Sequence, residues 1–357
     1  MVILYILLAI IILLFMIMVH ETGHYLAGKI LKFKIEEYSI GFGPAIFSKK
    51  MKSGEVFSLR WIPLGGFCAF KGEDEDEEED GKVIEGTFNS YPCWKRLIVL
   101  FSGAFFNFLT GIIFVFILLT SVGSGIVKIS NVQENSVNYG KLLESDIILE
   151  VDGDTPTFIN GGIVALMSDK DVGEDIVLKV DRNGEILDIV VQKYETEQLD
   201  EDGNVVKDEA GNPVMVKVIG ITSEYVRLGF GESLLKCVPY TFNMGWECLE
   251  VLWNLLTGKL GIENVGGPIT TVKTIAVSTQ TNIKNLVLLF PLLAVNLAVF
   301  NLLPIPALDG ARMVFVLIEC IFRKPVPRDI EARIHGIGLI ALFALVIVID
   351  MLNIFIF

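Results

Sequence analysis

Nineteen residues of nearly unbroken hydrocarbon, Met1 to Val19, run directly into His20-Glu21-Thr22-Gly23-His24. Only Tyr5 relieves the run. A charged group at the centre of a membrane helix costs about 2.5–3.5 kcal/mol or more. Such groups persist where they are paired, solvated or coordinated. The H-E-x-x-H spacing supplies a reason for their presence. On a helix, residues i and i+4 share a face, so His20 and His24 can each turn a nitrogen toward one ion. Glu21 beside them can reach a metal-bound water and take its proton. The pattern predicts a zinc site inside a membrane-spanning helix, with Glu21 as general base. H-E-x-x-H arises by chance on soluble helices, and the lipid-length apolar run is what gives it weight here.

Composition agrees with a membrane protein. Of 357 residues, 52% are hydrophobic, too many for an ordinary soluble chain of this size. The net charge of −14 disfavours nucleic-acid binding, which calls for a basic excess. The cysteines, Cys68, Cys93, Cys237, Cys248 and Cys320, are scattered and form no C-x-x-C pair, so neither a disulfide framework nor a cysteine zinc site is indicated. Met1–Val19 lacks a basic start and a small-residue cleavage site, so the reading is a retained helix and not a signal peptide.

Four apolar blocks are each long enough to span about 30 Å of hydrocarbon. They are residues 2–28, Leu97–Val122, a third from Leu286 through Pro304-Ile305-Pro306 to Phe322, and Ile334–Phe357. Lysines cluster in 29–96, and Arg323, Lys324, Arg328 and Arg333 lie between the third and fourth blocks. Positive loops stay in the cytoplasm, so both segments are expected there, and 123–283 outside. Turn residues and alternating runs over 33–70 predict β-hairpins. Glu73–Asp80 is an unbroken acidic run, read as a solvated loop. Residues 124–193 predict a small soluble domain with strands at 125–132, 147–151, 175–180 and 186–192, and a short helix near 162–167. An exposed hairpin is expected over 195–213 with its tip at Asp202-Gly203-Asn204. Apolar residues at helical spacing over 231–257, interspersed with charges, predict an interfacial amphipathic helix. No internal repeat is evident, which argues against a transporter built from inverted halves.

A catalytic zinc needs a third protein ligand. His335, the remaining histidine, begins the fourth block far from any matching motif and reads as an interfacial or satisfied side chain. Asp309 is the better candidate. It is a carboxylate in an apolar stretch just after a proline-broken helix, and broken helices occur in membranes where they line a site. The expected topology puts it at the depth of His20 and His24.

Taken together, these motifs resemble the site-2 proteases, bacterial intramembrane zinc metalloproteases with a PDZ domain. The family's motifs match His20–His24, Gly41-Phe42-Gly43-Pro44, Pro63-Leu64-Gly65-Gly66-Phe67, Ser102-Gly103-Ala104 through Asn107, Gly266-Gly267-Pro268-Ile269, and Asn301 to Gly310. Two positions depart from it, Ala104 where proline is common and Ala311 where glycine is. The resemblance implies that His20, His24 and Asp309 bind Zn2+, that Glu21 is the general base, and that Asn301 and Pro304 shape the substrate site. It implies a polytopic α-helical membrane protein with four transmembrane helices, membrane-associated β-hairpins and an inserted β-rich, PDZ-like extracytoplasmic domain. The expected divisions are 1–28, first span; 29–96, cytoplasmic hairpins and acidic loop; 97–122, second span; 123–225, PDZ-like domain; 226–283, interfacial segment; and 284–357, third and fourth spans. No G-L-G-F carboxylate-binding loop is visible, so this domain either binds peptide or serves as a steric gate.

The expected activity is hydrolysis of a peptide bond in or near the transmembrane helix of a single-span protein, of the anti-sigma factor or residual signal peptide type. The enzyme would sit in the plasma membrane as a multi-pass protein with its active site toward the cytoplasm. The competing expectation is a non-catalytic scaffold that recruits partners through the PDZ-like domain. A scaffold has no need of His20, Glu21, His24 and Asp309 together.

Overall fold

The structure, a computed structural model, describes residues 2–356 except 74–77, 80–81, 84, 159, 199–204, 209–210, 262–264, 283–284 and 325. The chain forms two compact units, one of residues 1–115 with 237–357 and one of residues 116–236. Helix α1 (Val2–Ile30) is apolar round its circumference until His20. Its Ile3, Leu4, Leu7, Ile11 and Phe15 are exposed, as on a helix that faces lipid. Lys29 in the last turn complements the negative end of the helix dipole.

Residues 33–70, expected as several hairpins, form one hairpin curled on itself. Strand β1 (Ile35–Lys50) pairs antiparallel with β2 (Val56–Phe70). Ala45–Lys50 lie beside Val56–Arg60, while Glu37–Ile40 lie beside Gly66–Ala69. The same Glu37–Ile40 run also meets Val56–Leu59 on its other side. Four short runs therefore lie abreast in the order 66–69, 37–40, 56–59, 45–50. The bends fall at Gly41 and Gly65, whose φ values of 84° and 110° disfavour side chains. Beyond the sheet, Glu78–Glu79 (β3) and Lys82–Val83 (β4) pair briefly. Residues 74–77 and 80 of the acidic run lie outside the described residues. Helix α2 (Cys93–Ser121) follows. Phe33, Phe70 and Phe88 pack with Val99, Leu100 and Val316 into one buried cluster, which seats the base of the sheet.

In the second unit, β5 (Val127–Val132), β6 (Ile147–Val151), β7 (Asp175–Arg182), β8 (Glu185–Gln192) and β11 (Ile221–Tyr225) form an antiparallel sheet in the order β11-β5-β6-β7-β8. Strand β7 alternates outward and inward, and Ile176, Leu178 and Val180 join a core with Ile129, Ile148, Val191 and the short helix α3 (Gly162–Leu166). Asp146 is fully buried and takes two hydrogen bonds from Arg182, at 2.8 and 2.7 Å. Strands β9 (Tyr194–Glu197) and β10 (Met215–Val218) pair as the base of the expected insertion. Its tip, 202–204, lies outside the described residues. Strand β11 was not expected from the sequence.

Helix α4 (Phe230–Leu256) occupies the stretch expected to be amphipathic. Its buried face is narrow, with Ser233, Cys237, Thr241 and Met244, while Val238, Phe242, Trp246, Leu249 and Trp253 are exposed. Helix α5 (Pro268–Thr281) follows the Gly266-Gly267 pair. The third apolar block is not one helix. Its first part, α6 (Asn285–Asn301), has 17 residues, and a break at 302–308 separates it from α7 (Asp309–Phe322). Pro304 and Pro306 cannot donate to a helix and clash with the preceding turn, which accounts for the break. Helix α8 (Arg328–Phe355) closes the chain. Ile3–Ile30, Cys93–Ser121 and Asp329–Phe355 are long and apolar enough to cross a membrane, and α6 is apolar but shorter.

The two polar interruptions of the last block have partners. Asp350 is buried and accepts hydrogen bonds from the Ile269 and Thr270 amides, both at 3.0 Å, and from the Thr270 hydroxyl at 2.7 Å. It thus caps α5, where an anion complements the positive end of the helix. Asn353 donates to the Val265 carbonyl at 2.7 Å.

One ion pair fastens the curled sheet to α1. Glu55, in the β1–β2 turn, is buried and receives Lys29 Nζ at 2.7 Å and the hydroxyls of Tyr25 and Ser53, both at 2.9 Å. Burial alone pushes the carboxyl up. The donors, Lys29 first, outweigh it and hold the group down to about 2. A depressed carboxyl stabilises the fold fully above its ordinary range near 4.5 and loses that contribution as the pH falls toward 2. Glu55→Gln is expected to accelerate amide hydrogen exchange across residues 35–70 at neutral pH; unchanged exchange would remove the clamp from this account.

Candidate metal centre

Helix α1 places His20 and His24 one turn apart with their rings edge to face, centroids 4.7 Å apart. Their Nε2 atoms are 3.1 Å from each other. The restart of the chain at α7 brings Asp309 to them, with Oδ2 at 3.0 Å from His20 Nε2 and 3.3 Å from His24 Nε2. Among the described residues this is the one group of three histidine, cysteine or acidic side chains close enough to share an ion. His335 is not part of it.

The spacing fits the group that the sequence predicts. Ligand atoms about 2.0–2.2 Å from a tetrahedral zinc lie about 3.3–3.5 Å apart, close to the separations seen here. Asp309 Oδ2 is buried and accepts no hydrogen bond among the described residues. An anionic oxygen in that state lacks the partner that burial demands, and a cation between it and the two imidazoles supplies one.

The outer nitrogens are held as well. His24 Nδ1 lies 2.8 Å from the Val99 carbonyl, which can only accept, so Nδ1 carries the proton and Nε2 keeps its lone pair for a metal. His20 Nδ1 faces two amides, Asn107 at 3.5 Å and Asn301 at 3.4 Å. The Asn107 Oδ1 is buried without a hydrogen-bond partner among the described residues. Turned over, that amide accepts from His20 Nδ1 and leaves the His20 Nε2 lone pair free too. Asn301, expected at the substrate, therefore lies against a candidate ligand. Pro304 lies exposed in the break after α6.

Close backbone approach makes this geometry attainable. A Cβ on Gly23 would sit 2.4 Å from the Ser102 carbonyl oxygen, and one on Gly103 would sit 2.3 Å from His24 Nε2. The fourth residue of the HETGH motif is thus glycine because α2 crosses α1 there. A Cβ on Gly310 would sit 2.3 Å from the Leu303 carbonyl oxygen, so the residue after Asp309 must also be small. Ala311 is tolerated one position later, buried, with its amide donating to Leu308 at 3.2 Å. Sequence reasoning did not find Val99, the Asn107 contact with His20 or the reason for Gly103. Only the small-residue run before Asn107 hinted at a helix crossing.

Glu21 is half-buried on the sheet side of α1. Its Cγ lies by Gly66, and the backbone of Cys68 is close to its carboxylate. Thr22 joins the same sheet through Tyr38, hydroxyl to hydroxyl at 3.0 Å. The run 66–69 thus packs along the helix face that carries the glutamate. Gly103→Ala is expected to push the imidazoles apart and weaken zinc binding by about tenfold or more, measured by chelator competition. Unchanged affinity would contradict the close packing described for the site.

Known proteins resemble the chain over nearly its whole length. The pattern of Peptidase family M50 matches residues 8–345. A Fusobacterium nucleatum protein named "Putative zinc metalloprotease" is 31% identical over 354 residues, spanning 96% of each chain. A Helicobacter pylori protein of the same description is 31% identical over 343 residues, 92% of this chain and 93% of that one. A Clostridium perfringens relative, likewise so named, is 29% identical over 345 residues, 95% of both chains. The chain belongs to peptidase family M50, the site-2 protease family of zinc-dependent metalloproteases.

Proposed function

We propose that this zinc metalloprotease is an intramembrane endopeptidase that cuts a peptide bond in or near the transmembrane helix of a single-span substrate. The observation that carries the proposal is the cluster of His20 Nε2, His24 Nε2 and Asp309 Oδ2, each within 3.3 Å of the others and set in apolar helices. In this reading His20, His24 and Asp309 hold the zinc, and Glu21 is the general base. Zinc in this position supplies Lewis acidity, which polarises a peptide carbonyl and acidifies water. Glu21 takes the proton of the attacking water and passes it to the leaving amine. Val99 fixes the tautomer of His24.

A peptide bond in a membrane helix is shielded by its own hydrogen bonds, so the substrate has to unwind first. The run 66–69 pairs with 37–40 on one side, is the outermost of the four runs, and passes beside Glu21 at Gly66. An unwound substrate backbone can add there as a further strand and recover its lost hydrogen bonds. Pro304 and Asn301 would flank that strand from the other side. The break between α6 and α7 supports counting them as one interrupted span, which with α1, α2 and α8 gives four. The lysine- and arginine-rich loops favour a site toward the cytoplasm of the plasma membrane, with residues 123–225, a PDZ-like domain in this reading, outside. Anti-sigma factors and residual signal peptides are the substrate types that the reading favours. The buried cluster gives the scaffold alternative nothing to explain it.

The test uses the full chain in detergent or vesicles with a model single-span substrate. Glu21→Gln is expected to keep stoichiometric zinc and to lose cleavage by at least about a hundredfold. Asp309→Asn is expected to lose zinc. Cleavage that survives Glu21→Gln would sink the assignment of the base, and zinc retained by Asp309→Asn would point to a different third ligand.

A further inference from the structure

The third histidine has a contact that the proposed chemistry leaves unused. Asp309 is delivered by the break at 302–308, where the Leu302, Leu303, Ile305 and Leu308 amides donate to backbone carbonyls and the Ala307 amide turns instead to a side chain. Pro304 and Pro306 donate nothing, and Ala307 adopts a φ of 82°, a left-handed conformation that alanine seldom takes. Such a conformation lasts only where the surroundings enforce it. Helix α8 provides the enforcement. The Ala307 amide donates to His335 Nδ1 at 3.0 Å. One turn further along α8, Gly338 lies flat against the break, and a Cβ there would sit 2.2 Å from Pro306 Cβ. The Phe315 ring of α7 faces the His335 ring at 5.6 Å between centroids. Asp309 is two residues beyond Ala307, at the first position of α7.

We propose that His335 and Gly338 form a latch on α8 that positions Asp309 for the metal. His335 is then a positioning residue: it touches neither metal nor substrate and acts through the Ala307 amide. The latch couples the last helix to the metal site, so displacement of α8 loosens one ligand while His20 and His24 stay on α1. The inference rests on the reading of His20, His24 and Asp309 as zinc ligands.

The side chains offer a discriminating comparison. In asparagine, Oδ1 occupies the place of histidine Nδ1 and can accept from Ala307. Glutamine carries its oxygen one carbon further out, and leucine offers no acceptor. The experiment measures zinc affinity of the full-length protein by competition with a fluorescent chelator, alongside its melting temperature. His335→Asn is expected to bind zinc like the wild type, while His335→Gln and His335→Leu weaken it about tenfold or more at similar melting temperature. Gly338→Leu is expected to weaken it as well, by driving Pro306 away. If His335→Leu does not fold, the asparagine and glutamine variants decide between the outcomes. Wild-type affinity in the glutamine or leucine variant, or equal loss in the asparagine variant, would overturn the latch alone. A wild-type protein that takes up no zinc would overturn the ligand reading and the latch with it.

Discussion

Two imidazoles and a carboxylate meet inside helices made almost wholly of hydrocarbon, and each is tolerable only because of the others. A buried charge without a partner costs several kcal/mol, more than a marginally stable fold can absorb at one point. His20, His24 and Asp309 therefore constrain everything around them. Helix α1 must run straight through the two histidines, α2 must press against it, and the third apolar block must stop and restart so that Asp309 arrives at its own N-terminus. Residues with no chemistry of their own follow from this: Gly23 and Gly103 admit α2, Gly310 admits the turn, and Val99 fixes His24 with its carbonyl.

The same logic accounts for the other polar residues in apolar surroundings. Asp350 caps α5 and Asn353 holds the segment of chain before it, so the two polar side chains in the apolar second half of α8 both have partners. Helix α4 turns Ser233, Cys237, Thr241 and Met244 inward and its tryptophans outward, and large apolar side chains face outward where the surrounding medium is itself apolar. Glu55 works at the edge of this environment, where a buried carboxylate with three donors is a fastening for the curled sheet. That sheet in turn brings Gly66 and Cys68 to Glu21, so the proposed base and the proposed docking strand are placed by one element.

What the sequence revealed followed from local periodicity. The histidines at i and i+4, the apolar blocks, the prolines that interrupt the third of them and four strands of the five-stranded sheet are written in short windows. Asp309 was legible because a carboxylate in an apolar stretch demands a partner. Contacts made by distant residues were not legible. The 33–70 region reads as separate hairpins because its alternating runs are short, whereas the bends at Gly41 and Gly65 stack those runs into one curled sheet. Helix α5 has mixed polarity, and its cap comes from a residue about eighty positions away. His335 reads as an ordinary interfacial histidine because nothing near it in the chain announces Ala307.

X-ray absorption at the zinc edge on the purified full-length protein tests the central claim most directly. The geometry predicts one zinc per chain in a shell of nitrogen and oxygen only, at about 2.0–2.2 Å, with the scattering of two imidazoles. A shell containing sulfur at about 2.3 Å, or a single imidazole, would contradict the assignment of His20, His24 and Asp309 as the ligands.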